Sequence, residues 1–139
     1  MWFNESMDSI YEHGFERGIR DAGYDPVRID KKDHINKIDD EIIADIRRSR
    51  FIVADFTSEM IALGETQTHI PRGGVYFEAG YAMGRDIPVV WTCRKDMIDL
   101  IHFDTRQFNH ITWETPEDLA KQLQTRIEAV IGDGPLKKR

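Results

Sequence analysis

Apolar positions along this chain alternate between helix-like and strand-like spacing, and that alternation predicts a layered α/β domain. Met7, Ile10, Tyr11, Phe15, Ile19 and Ala22 recur at steps of three and four and mark one face of a first helix. Asn4 or Ser6 caps it, and Gly23 stops it. Pro26-Val27-Arg28-Ile29 reads as a short strand, and Ile35, Ile38, Ile42 and Ile46 line a second helix. The run Phe51-Ile52-Val53-Ala54 then has the composition of a buried parallel strand, ending at Asp55.

From Phe56 to Gly73 no period is visible, and a connection of this length in a small domain suggests a lid. Gly74 to Gly84 reads as a helix, Ile87 to Thr92 as a strand with Pro88 at its start, and His110-Ile111-Thr112 as a short strand. The last helix has the clearest signals: Thr115 as cap, Pro116 in the first turn, Leu119, Leu123, Ile127 and Val130 on one face, and Gly132 as stop. Only Met1-Trp2-Phe3 precedes the first helix, which is too little for a central strand. The expectation is a three-layer α/β/α, flavodoxin- or Rossmann-like fold: a mainly parallel sheet of about five strands, its first strand short or missing, in one domain over residues 1–139.

Composition narrows the function classes. The net charge is −6, with 25 acidic against 19 basic residues, which disfavours a broad grip on nucleic acid polymers or an anionic membrane. No run approaches the ~20 apolar residues of a membrane span, and the N-terminus lacks a secretory pattern. Cys93 is the sole cysteine, so no internal disulfide forms and a structural zinc site lacks its thiolates. The five histidines show no metal-binding spacing, and no Walker or dinucleotide glycine loop is present. A cytoplasmic protein with no metal and no cofactor is the expectation.

Two carboxylates stand out. Ligands of parallel α/β sheets bind beyond the carboxyl ends of the strands, where Asp55 directly follows a buried run. Aspartates at such positions also cap turns, with about even odds. Glu78 stands in an otherwise small and apolar helix, Gly73-Gly74-Val75-Tyr76-Phe77-Glu78-Ala79-Gly80-Tyr81-Ala82, and shares a face with Gly74, Val75, Tyr81 and Ala82. Small neighbours let a ligand approach it closely, and such surroundings tune a nucleophile or a general acid/base. In isolation the plainer reading, an exposed glutamate with glycines for packing, is the better one.

Val53-Ala54-Asp55-Phe56-Thr57, then Gly74 to Ala82, then Ile87-Pro88-Val89, resembles the nucleoside 2-deoxyribosyltransferase family in motif and order, over roughly residues 28–113. TIR-like and nucleotide N-glycosidase domains share this layout. The resemblance implies that Glu78 attacks the anomeric carbon of a sugar and that Asp55 helps the base to leave. It also implies a homodimer or larger assembly. The family's first strand, with its aromatic residue, has no full counterpart before Asn4; Trp2, Phe3 or Tyr11 stands in for it. The polar stretch His102 to His110 departs from the best-known transferases.

Basic residues at strand ends, Arg28, Arg94, Lys95 and Arg106, and Arg72 ahead of a glycine pair, favour a nucleotide modestly over a nucleoside, although any one of them is more often simply solvated or paired. Phe3, Arg28, Asp30, Arg72, Gly73, Gly74, Tyr81, Asp104, Arg106 and Asn109 are thus the expected substrate contacts. Cys93 reads as a small packing residue. The leading expectation is cleavage or (deoxy)ribosyl transfer at the N-glycosidic bond of a nucleoside or nucleotide. The alternatives are a nucleotide sensor without turnover, a TIR-like NAD hydrolase and, lowest, a purely structural domain.

Overall fold

The computed structural model describes residues 1, 5–28 and 38–138. The chain opens with α1 (Glu5–Ile10), a π-helical stretch (Tyr11–Glu16) and α2 (Arg17–Asp21), followed later by α3 (Ile38–Arg48). Then come β1 (Ile52–Asp55), β2 (Glu59–Leu63), β3 (Thr66–Ile70), α4 (Gly73–Gly84) and β4 (Val89–Arg94). A 3-10 stretch (Lys95–Leu100), α5 (Phe103–Arg106), β5 (Ile111–Trp113) and α6 (Pro116–Val130) complete it. Among the described residues no helix is long and apolar enough to cross a membrane.

The sheet is parallel, in the order β1-β4-β5, with Asp55 opposite Thr92 and Arg94 opposite Trp113. Period-two alternation sends successive side chains of β4 to opposite faces. Val90 joins a core with Phe15, Trp113, Leu119, Leu123 and Ile127, beneath the N-terminal helical run and α6. Trp91 and Cys93 join the other core, with Phe56, Val75, Ala79 and Met97, beneath α4. Helices therefore cover both faces.

The expected sheet of about five strands is corrected to three among the described residues. Pro26, Val27 and Arg28 form no strand. The burial there is the reverse of an apolar-in pattern, with Val27 59% exposed while the Arg28 side chain is 6% exposed. Ile29, Ile35 and the cap Asn4 lie outside the described residues. The expected lid between Phe56 and Gly73 is a β2–β3 antiparallel hairpin closed by Gly64-Glu65, with Gly64 at φ +63°. A left-handed residue is what such a tight two-residue turn demands.

Gly14 and Gly18 set how closely the N-terminal helical run approaches α6. A β-carbon on Gly18 would stand 2.8 Å from the Ala120 carbonyl oxygen and 3.1 Å from its Cα, and one on Gly14 would stand 2.8 Å from Leu119 Cδ2. At the far end of the chain, Thr115 caps α6 by accepting the Asp118 amide, and Pro116 occupies its first turn.

Candidate functional site

Asp55 ends β1 almost wholly buried, 2% exposed. The Thr92 hydroxyl donates to its Oδ1 at 2.8 Å, and the Trp113 indole N–H donates to the same oxygen at 3.1 Å. The Thr57 amide reaches Oδ2 at 3.4 Å. These donors come from β4 beside β1, from β5 beyond it and from the turn after β1, so the parallel register itself assembles the cradle. A buried carboxylate needs such donors, each of which contributes about 1.5–3 kcal/mol when its partner is charged. Oδ1 is thereby fixed, and Oδ2 is the more lightly bonded oxygen.

Glu78 projects from α4 and pairs with Arg72, Nη2 to Oε1 at 3.3 Å and Nη1 to Oε2 at 3.4 Å, with the two side chains 19% and 14% exposed. Arg72 is the residue just before α4. Its guanidinium lies over Gly74, where a β-carbon would stand 3.4 Å from Nη2.

Asp55, Glu78 and Arg72 line one cavity of about 530 Å³, together with Arg28, Met1, Tyr11 and the residues of β1. That volume lies within the range of small-molecule sites. Arg28 is held in its wall by Asp8 at 2.8 Å, its guanidinium 4.7 Å from the Tyr11 ring centroid. Tyr11, one of the aromatic residues expected to stand in for the missing strand, therefore does reach the cavity; Trp2, Phe3 and Asp30 lie outside the described residues.

Several expected contacts are not brought to this cavity. The Tyr81 hydroxyl accepts from Arg47 Nε at 2.7 Å. Asp104 pairs with His102 at 3.5 Å, Arg106 donates to the Asp99 carbonyl at 3.4 Å, and the Asn109 carbonyl accepts from Arg126 at 2.9 Å. Gly73 and Gly74 begin α4 without lining the cavity, Arg94 pairs with Asp96, and Lys95 with Glu114. The strand order explains much of this. The cavity lies along β1 at one edge of the sheet, whereas the segment after β4 leads to β5 at the other edge.

Sequence reasoning missed Thr92 and Trp113 as the groups that orient Asp55. A signal existed: Thr92 is the polar residue in the otherwise apolar run Val89-Val90-Trp91-Thr92-Cys93. It also missed Asp45, a buried acid in the cavity wall that pairs with Arg48. Burial, reinforced by the Asp55 charge, pushes the Cys93 thiol up to about 12, which makes it a poor nucleophile at neutral pH. His110 packs edge-on against Phe56, and burial lowers its pKa from the usual histidine range. Comparison of the chain with models of protein families, with curated proteins and with solved structures finds no significant match.

Proposed function

We propose that this chain cleaves, or transfers at, the N-glycosidic bond of a nucleoside or nucleotide, with Glu78 as nucleophile and Asp55 acting at the leaving base. A Glu78 oxygen forms a bond to the anomeric carbon as the carbon–nitrogen bond breaks, and the base leaves with that electron pair. Asp55 handles the proton the departing nitrogen requires. Water or a second base then displaces Glu78 from the glycosyl ester and restores the carboxylate. Splitting one displacement into two lowers each barrier.

The observation that carries this reading is the convergence of a strand-end carboxylate and a helix carboxylate on one cavity of nucleotide-compatible size. The strand-end acid is oriented by two side-chain donors, as a group working on a substrate must be. The resemblance in the motifs around Asp55 and Glu78 points the same way. The reading places the reaction in a reducing cytoplasm, with neither metal nor cofactor. It takes a homodimer or larger assembly as the acting form, because a domain this small has limited surface with which to enclose a nucleotide. Incubation with nucleosides, nucleotides and NAD, followed by chromatography for free base, tests it; no base from any of them overturns it.

A nucleotide sensor without turnover is the second reading, and one observation favours it. Both Glu78 oxygens face Arg72, so the carboxylate is engaged rather than open to a sugar. Calorimetric binding with no base released would support the sensor.

A further inference from the structure

The cavity has the outline of a strand. Two runs of consecutive residues line it, Phe51 to Asp55 on one side and Tyr24 to Arg28 on the other. Side chains of a strand alternate between faces, so a wall made of every residue in turn is a backbone edge. The two runs point the same way. At one end the Tyr24 and Phe51 rings meet edge to face, centroids 5.1 Å apart, and at the other Arg28 and Asp55 both act on the Met1 amino group. Tyr11, Phe15 and Ile19 reach the cavity from the N-terminal helical run, and Asp45 and Ile46 reach it from α3, which packs beside α4 in the other layer. Helices therefore close the space above and below, as they close a position inside a sheet.

The edge that β1 turns toward this space is open. The Ile52 amide donates to the Pro88 carbonyl at 2.9 Å and the Phe56 amide to the Thr92 carbonyl at 2.8 Å. Backbone groups of successive strand residues point to opposite sides, so those of Val53 and Asp55 face away from β4. Among the described residues nothing pairs with them, although Asp55 is buried. A buried backbone group without a partner costs about as much as a lost hydrogen bond. The run Tyr24 to Arg28 has no strand partner among the described residues either, and it stays outside the sheet.

Met1 stands at the carboxyl end of this space. Its α-amino group has Asp55, Arg72, Glu78 and Arg28 as the charges acting on it, and burial lowers its pKa. An ammonium is costly in such a place, whereas a peptide N–H is an ordinary strand-end donor. From Met1 the chain passes through α1 and α2 and returns as Tyr24 to Arg28. A strand ending at Met1 makes that path a strand–helix–strand unit with its two extended runs side by side, the unit from which parallel sheets are built.

We infer that the space between β1 and the run Tyr24 to Arg28 takes a further strand, parallel to β1, formed by about five apolar residues that lead through Met1 into α1. The strand is apolar because helices cover both of its faces. It fills the cavity beside Phe51 to Ala54 and leaves the carboxyl end, with Asp55 and Glu78, to a ligand, which is where parallel sheets bind theirs. The inference stands apart from the proposed reaction, since it concerns backbone pairing alone.

The test fuses Val-Ile-Val-Ile-Val ahead of Met1 and compares that chain with one carrying Gly-Ser-Gly-Ser-Gly. Amide hydrogen exchange at Val53 and Asp55 slows on the order of 10²-fold in the apolar fusion. The change is smaller at Ile52 and Phe56, whose amides are already bonded, and the urea midpoint rises. A Thr-Val-Thr-Val-Thr fusion, less prone to aggregate, shifts both readouts in the same direction. Val-Ile-Pro-Ile-Val loses the protection, because a strand flanked on both sides cannot spare a donor. Equal exchange and equal midpoints in the apolar and Gly-Ser fusions overturn the inference, as does full protection by the proline form. Protection by the free peptide Val-Ile-Val-Ile-Val, with none from the fusions, places the strand on another polypeptide and overturns its assignment to the chain entering α1.

Discussion

The Thr92 hydroxyl donates to Asp55 Oδ1 at 2.8 Å from directly across the β1–β4 register, so a sheet pairing also fixes the orientation of a buried acid. Thr92→Val keeps the branched shape and removes the donor. The loss costs about 1–3 kcal/mol of stability, because a buried acceptor loses a partner. Turnover falls by about 10-fold or more as the carboxyl loses its alignment, the sensitivity expected of a positioned group. Urea unfolding beside base release checks both; a variant as stable and as active as the wild type refutes the role.

Asp55→Asn probes the leaving-group side of the mechanism. Turnover slows, and a substrate with a better leaving base recovers part of the loss, because such a base depends less on proton delivery. Rates measured over a series of bases check this. Equal losses across the series would place Asp55 elsewhere in the reaction.

Gly18→Ala tests the packing that joins α2 to α6. The added β-carbon meets the Ala120 carbonyl oxygen at 2.8 Å, a backbone atom that cannot rotate away. Overpacking of this kind costs about 1–3 kcal/mol, seen as a lower urea midpoint at an unchanged slope.

His110 gives the fold a pH dependence of definite sign. Burial lowers its pKa below the reference value of 6.5, so the unfolded chain binds a proton in a range where the folded protein resists it. Stability is therefore full above about pH 6.5 and falls as pH drops through the folded value. Urea midpoints taken between pH 7.5 and 5 follow that fall, and His110→Phe flattens it.

How much was legible in the sequence follows from where each signal came from. The strands at Ile52–Asp55 and Val89–Arg94 and the helix Pro116–Val130 were readable because burial forces an apolar run or a periodic face. The β2–β3 hairpin was not, since its strands are largely exposed on both faces and show no alternation of apolar and polar residues. The π-helical stretch around Gly14 escaped because apolar spacings of three and four suit an unbroken helix equally well.

In the site, Asp55, Glu78, Arg28 and Arg72 were named from strand ends, helix context and motif, and they line one cavity. Tyr81, Asp104, Arg106 and Asn109 were named by the same logic and stand apart from it. Which edge of a sheet a loop serves depends on strand order, and strand order is not written in local sequence. Thr92 and Trp113 were missed for the related reason that their partner is set by register.

The most direct measurement is the rate of free-base release by Glu78→Gln, followed chromatographically on the best substrate of the wild type. The substitution keeps the size of the side chain and removes the nucleophile. The account predicts a rate lower by about 10² to 10⁴, with ligand affinity changed far less, as befits the loss of one positioned catalytic group. Release at the wild-type rate would contradict it, leaving Asp55 and Glu78 as neighbours on a cavity wall that do not share this chemistry.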